Sequence, residues 1–342
     1  MNKKLLALAI GSAVAMPVIA LADGPTLYGK VNVTLDSIET DVGVPAANTD
    51  AWYLNSNASR LGVKGDVETG VEGLKGIYLA EFEMFVDDGD SGKNLGGKEA
   101  FTQRNIYAGL KGDFGTIKAG NFDTPLKEAQ GKVDQFNDLE GDIKNIMAGE
   151  NRVKNIIQYS SPKLGDAFTV NVAVMPGEYA DVDADGKPDD GLSDSMSASV
   201  VMEMDAFYAA LAIDSTLAQT GVEVAAPGDA MRLVGGYKAD GFELGAIYQT
   251  AEDATTGGTA EDTSMLVSGA VISGDWKFKA QFGTGEGDVS SKEKTLMGVG
   301  ADYKLGKNST AFAYYTSVET DNKAPALDAE KTTLGFGLEH KF

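Results

Sequence analysis

From residue 25 to the chain's end, apolar and polar side chains alternate with a period of two, as in strands with one apolar face. Leu27, Val31, Val33 and Leu35 face one way, and Lys30, Asn32, Thr34 and Asp36 the other. Tyr78, Ala80, Phe82 and Met84 alternate with Leu79, Glu81, Glu83 and Phe85, and Phe242, Leu244, Ala246 and Tyr248 with Glu243, Gly245, Ile247 and Gln249. At the end, Leu334, Phe336 and Leu338 alternate with Gly335, Gly337, Glu339 and Lys341. One segment is irregular: between Thr102 and Leu110, Ile106 and Leu110 share the parity of Arg104. The pattern predicts sixteen strands, near 25–37, 50–65, 72–86, 100–111, 114–121, 151–161, 167–177, 195–204, 206–213, 229–239, 241–250, 262–272, 275–284, 293–304, 309–317 and 331–342.

The connections alternate as well. Short turns at Val67–Val71, Lys111–Asp113, Pro162–Asp166, Ala239–Gly241, Ser273–Asp275 and Leu305–Asn308 are interspersed with longer loops rich in Gly and Asp. An even strand number, with short turns at one end and long loops at the other, predicts an all-β fold, a sixteen-stranded antiparallel transmembrane β-barrel. Lipid leaves no backbone N–H or C=O unpaired, so the first strand must close on the last. A soluble two-sheet sandwich would also alternate, but usually with longer apolar core runs and some helix. No apolar run after residue 22 is long enough for a membrane helix. A spanning strand needs only about 9–11 residues, every second one apolar.

Residues 1–22 stand apart. Lys3 and Lys4 precede an apolar run, Leu5–Leu21, and Ala20-Leu21-Ala22 supplies a small-x-small cleavage pattern, so they are read as a secretory signal peptide. Residues 23–342 then form one domain. There is no cysteine, so an exported chain of this length must be stabilised by a large cooperative structure rather than by disulfides. Losing Lys3 and Lys4 deepens the formal charge from −22 to −24. So acidic a chain is a poor nucleic-acid binder and suits a cation-attracting surface.

The longest loop, Phe122–Glu150, is acidic, with Asp134, Asp138, Glu140 and Asp142 as its candidate functional carboxylates. It is also unusually apolar, carrying Val133, Phe136, Leu139, Ile143, Ile146 and Met147. A loop of this composition can fold inward and pack on the barrel wall. By alternation, Lys30, Arg60, Lys64, Lys118, Arg152 and Lys154 point inward, because Val31, Leu61, Val63, Ile117, Ala119, Val153 and Ile157 point to lipid. A charge on the lipid face would cost about 2–4 kcal/mol at mid-depth. Arg104 joins them from its irregular strand. A basic wall facing an acidic loop would set a transverse field across a pore.

Other chemistry is sparse. Asp181, Asp183 and Asp185, followed by Gly186, are spaced like a calcium loop, but Leu192 stands where the bidentate Glu belongs, so at most weak Ca²⁺ binding is expected. With one histidine, His340, and no cysteine, most nucleophile–base and zinc constellations are excluded, and no cofactor is implied.

The segments LYGKVNVTLD, SRLGVKGDVETGVEGLKGIYLAEFEM, RNIYAGLKGDFGTIKAGNFDTPLKE, NRVKNIIQYSSPKLGDAFTVNVAV and LGFGLEHKF resemble the trimeric general porins of Gram-negative outer membranes. The resemblance implies a homotrimer with its third long loop folded inward as a constriction, passing small hydrophilic solutes without catalysis. It implies constriction basic residues at Lys30, Arg60, Arg104 and Arg152, facing Asp138, Glu140 and Asp142. Many relatives carry an arginine where this chain has Asn121. The terminal Phe342 resembles the sorting signal read by the outer-membrane insertion machinery, and lipopolysaccharide is an expected neighbour. The sequence therefore points to a weakly cation-preferring diffusion pore. Alternatives are a solute-specific channel for phosphate, a sugar or a dicarboxylate, and, further off, a barrel enzyme or adhesin.

Overall fold

The computed structural model describes residues 24–88, 100–178, 191–218, 227–253, 261–288, 292–322 and 327–342. The leader (1–22) and the aspartates Asp181, Asp183 and Asp185 lie outside these residues.

The strands are β1 (Thr26–Asp41), β2 (Thr49–Ser56), β3 (Arg60–Glu68), β4 (Lys75–Met84), β5 (Phe101–Gly112), β6 (Gly115–Asp123), β7 (Arg152–Ser160), β8 (Phe168–Met175) and β9 (Ser195–Met204). They continue as β10 (Phe207–Ala218), β11 (Pro227–Ala239), β12 (Phe242–Asp253), β13 (Glu261–Ser273), β14 (Trp276–Gly287), β15 (Lys292–Lys304), β16 (Ser309–Asn322) and β17 (Ala329–Lys341). Each pairs antiparallel with the next, except that β2 and β3 both pair with β1, and β1 also pairs with β17 from Lys30↔Lys341 to Asp41↔Glu330, which closes the sheet. The ladder runs to the last residue: Gly29 N–H donates to the Phe342 carbonyl at 2.9 Å, and Phe342 N–H to that of Gly29 at 3.1 Å.

Seventeen segments make sixteen staves, because β2 and β3 are one stave in two pieces, both paired with β1. The break falls at Asn57-Ala58-Ser59, where Ala58 has φ +48°. There the Ser59 hydroxyl replaces the ladder, accepting from Asn32 N–H at 2.9 Å and donating to the Asn32 carbonyl at 3.1 Å. Several staves also reach further toward the long loops than alternation predicts. The extra residues include Val318–Asn322 on β16.

The irregularity near Arg104 is a bulge. The β4–β5 register slips between Ala80↔Ile106 and Phe82↔Gln103, so β5 spends one extra residue there. The slip turns Arg104 inward while Leu110 stays exposed outside. A second slip, between Gly120↔Ile156 and Phe122↔Val153, places a bulge at Lys154-Asn155, with Asn155 at φ +57°. It corrects the parity expected for Val153, which packs with buried Phe122 and Ile156 rather than toward lipid.

Large side chains such as Leu27, Leu35, Leu233, Leu244, Phe282 and Phe336 stand exposed on the outer face, each next to a less exposed inward neighbour. The buried apolar clusters consist largely of long-loop residues against inward side chains, Leu126, Ile143, Ile146 and Met147 meeting Val234, Ile247, Leu266 and Leu296.

Candidate functional site

The long loop leaves the sheet where Thr124 N–H donates to the Asn151 carbonyl at 3.1 Å. Helix α1 (Pro125–Glu128) starts it, with Pro125 in the first turn and the Thr124 hydroxyl accepting from Lys127 N–H at 3.2 Å. A 3₁₀ turn, Ile143–Asn145, follows, capped by Asp142. The loop's carbonyls are then met by polar side chains on the buried face of distant strands. Ser264 donates to Ile146 at 2.7 Å, Ser268 to Val133 at 2.6 Å, and Gln281 to Gly141 at 2.7 Å. Each satisfies a backbone acceptor that would be costly to bury alone. Glycines on β14 and β15 leave room for the loop: a Cβ at Gly283 would stand 2.3 Å from Ile146 Cδ1, and one at Gly298 2.9 Å from Phe136.

Arg232 of β11 anchors the loop's return arm. It has no exposed surface, and it donates to Glu150 at 3.0 Å, to Gln249 at 2.6 Å and to the Ala148 carbonyl at 2.8 Å. Burial raises the Glu150 carboxyl above its ordinary range despite this guanidinium. Arg232 was missed by sequence reasoning, although its parity signals it: Met231 and Leu233 beside it are exposed outside.

The four loop carboxylates divide into two kinds. Asp134 and Asp142 fold the loop. Asp134 accepts from Phe136 N–H at 2.9 Å and Ile143 N–H at 3.1 Å, and burial, with Asp142 nearby, pushes its carboxyl up to about 8. Asp142 accepts from Asp138 N–H at 2.9 Å and Lys144 N–H at 2.8 Å. Asp138 and Glu140 reach the wall instead. Asp138 meets Lys30 at 3.0 Å and Arg60 at 2.8 Å. Burial would raise Asp138, but Lys30 and Arg60 outweigh it and hold the carboxyl below its usual range. Glu140 pairs with Lys331 of β17, a residue sequence reasoning did not single out.

The basic wall is itself partly neutralised. Arg104 donates to Glu81 at 2.8 Å and Glu83 at 3.0 Å, and Arg152 lies 3.0 Å from Asp123. Lys118 lies 3.7 Å from Glu128 and 4.1 Å from the centre of the Phe122 ring. Lys64 faces the Tyr28 ring at 5.1 Å, away from the loop carboxylates. Lys154 sits exposed in the β7 bulge with no ion pair among the described residues. Asn121 donates to the Arg104 carbonyl at 2.8 Å, bracing the β5 bulge. Between loop and wall lies an open space of about 350 Å³. Five basic residues line it (Arg60, Arg104, Lys127, Lys144 and Arg152) with five carboxylates (Asp123, Glu128, Asp138, Asp142 and Glu150).

A closed barrel with an apolar exterior and a charged, water-accessible interior defines a membrane channel. Residues 6–323 match the family model described as Gram-negative porin, and the chain belongs to that family: an outer-membrane β-barrel for passive diffusion, not an enzyme. It is 26% identical to the major outer membrane protein P.IB of Neisseria sicca over the full length of both chains. With its counterpart from Neisseria gonorrhoeae it shares 33% identity over 52% of this chain and 49% of that one. Among solved structures, an anion-selective porin from Comamonas acidovorans superposes with TM-score 0.72 at 18% identity, covering 94% of this chain and all of that one. The trimer form of in-vitro folded OmpT from Vibrio cholerae gives 0.64 at 16%, covering 94% and 99%. At these identities the structural likeness speaks for the fold.

Proposed function

We propose that this chain is a general diffusion porin whose narrowest point lies between the loop tip at Asp138 and the wall of Lys30, Arg60, Arg104 and Arg152. The observation that carries it is the reach of Asp138 to Lys30 and Arg60 from the far end of a loop held on the opposite wall. Because the lining charges balance five to five, the waist sorts solutes mainly by size and hydrogen bonding. The remaining formal charge is acidic, which favours a weak cation preference. A homotrimer is the proposed assembly, consistent with the trimer form of the Vibrio cholerae relative. Its outer surface would meet lipid and lipopolysaccharide, and Phe342 would be read by the insertion machinery. Reversal potentials of purified protein in a KCl gradient test the reading. Weak potassium preference is expected, and clear chloride preference would refute it.

A further inference from the structure

Most charges at the waist are already answered by the fold. Of the lining carboxylates, Asp138 is held by Lys30 and Arg60, and Asp123 by Arg152 at 3.0 Å and Lys127 at 3.3 Å. Glu150 is held by Arg232 at 3.0 Å and Glu128 by Lys118 at 3.7 Å, while Asp142 is buried and accepts two backbone N–H groups. The lining cations Arg60, Lys127 and Arg152 are taken up in those same pairs, and Arg104 by Glu81 and Glu83. Lys144 lines the same space of about 350 Å³, is exposed, and has no ion pair among the described residues.

The loop's own fold sets where Lys144 stands. It sits in the 3₁₀ turn Ile143–Asn145, and Ile143 and Ile146 on either side of it are buried with Leu266 of β13 and Leu296 of β15. Asp142 accepts the Lys144 N–H at 2.8 Å, and the Asn145 side chain donates to the carbonyls of Glu140 at 2.9 Å and Asp142 at 2.8 Å. The turn is thus fixed at its base, with its isoleucines on the wall and Lys144 left to the lumen. Across the same space lie Arg60 of β3, Arg104 of β5 and Arg152 of β7, so cations line the waist from both sides. Their effects differ. Opposite charges in contact act on a passing ion as a dipole, whose field falls off faster than that of a lone charge. An unpaired ammonium keeps its reach, about 10 Å at 0.1 M salt.

We propose that Lys144 is a specificity-determining residue of the pore, the loop-borne cation that meets the carboxylate or phosphate group of a permeating solute. The inference rests on the diffusion-pore reading and gives the loop a sign opposite to its composition. Its carboxylates are spent on holding the loop and the wall together, and the charge it offers to solutes is positive. Lys144 thereby holds the cation preference of an acidic chain to a weak one and keeps the waist open to small anions. Only its backbone N–H serves the fold, so its side chain can be changed without disturbing the loop.

The test is the reversal potential of the purified full-length protein in KCl gradients, with K132Q as the companion variant. Lys132 is exposed on the same loop and also lacks an ion pair among the described residues, but it lines a different space, beside Val133 and Tyr208. In gradients around 0.1 M, K144Q should raise the potassium-to-chloride permeability ratio about twofold, and around 1 M, where the Debye length is about 3 Å, the shift should shrink. K144R should behave as the wild type, and K132Q should move the ratio far less than K144Q. In liposomes, K144E should slow the entry of succinate and leave that of uncharged erythritol unchanged. An unmoved ratio in K144Q, or a shift in K132Q as large as in K144Q, would overturn the inference while leaving the pore reading intact. Absence of any channel in the wild type would overturn both.

Discussion

Arg60 Nη2 stands 2.8 Å from Asp138 Oδ2, and Lys30 Nζ reaches that same oxygen at 3.0 Å. One carboxylate thus ties two staves to the tip of a loop that is also held by Ser264, Ser268 and Gln281 of β13 and β14. Replacing it in D138N keeps the shape and removes the charge. The tip loses its hold on the wall and two cations lose their partner. The reversal potential should move toward chloride, and conductance should rise by well under about twofold, since one charge among ten at the waist has changed. A shift toward potassium would contradict this arrangement.

The loop's other attachment is stronger and hidden. In R232M the Glu150 carboxylate, buried against the guanidinium, would lose its ionic partner, a change that costs about 3–5 kcal/mol in comparable buried pairs. The barrel ladder is untouched, so the cost falls on loop docking. R232M should give noisy channels and a loop open to protease between Leu126 and Glu150. The double variant R232M/E150Q should be markedly quieter, because no charge is left behind. Equal noise in the single and double variants would mean that the ion pair contributes little.

How much of this was readable beforehand follows from what alternation encodes. A period of two reports which face meets lipid, and it placed the staves, the closure of β1 on β17 and the inward direction of Lys30 and Arg60. It carries no information where the period breaks, so the bulges at Arg104 and at Lys154-Asn155 appeared as noise or misassigned Val153. Acidity alone could not divide the loop carboxylates either. Asp134 and Asp142 serve backbone N–H groups within the loop, whereas Asp138 and Glu140 reach distant strands, a difference set by loop geometry. Arg232 was legible by parity, but its partner Glu150 stands 82 positions away and only folding brings them together.

Gly285 tests the fit between loop and wall. A Cβ there would stand 2.6 Å from the Ile146 carbonyl oxygen, a backbone atom that cannot swing aside as a side-chain end can. The G285A variant must push the loop away from β14 and lengthen the 2.7 Å hydrogen bond from Ser264 to the same carbonyl. Overpacking of this kind costs about 1–3 kcal/mol. Faster hydrogen exchange at 143–148, with unchanged heat stability of the barrel, is the expected result. Unchanged exchange would show that the loop has slack at that point.

The buried Asp134 carboxyl makes loop docking depend on pH. Burial, reinforced by Asp142, pushes it up to about 8, whereas an Asp in an undocked, hydrated loop titrates near about 3.9. The docked loop therefore binds the proton more tightly than the released loop. Docking is strongest at low pH and weakens as pH rises from about 4 through about 8. Glu150, also raised by burial, acts in the same direction. Asp138 opposes them only in acid: its carboxyl lies below the usual range, so its hold on Lys30 and Arg60 is complete at neutral pH and fails as pH falls through its lowered value. Hydrogen exchange at 134–147, corrected for intrinsic rates, should show more protection at pH 6 than at pH 9. D134N, which cannot ionise, should lose most of that difference. Greater protection at pH 9 would mean that the two N–H donors from Phe136 and Ile143 hold Asp134 ionised despite its burial.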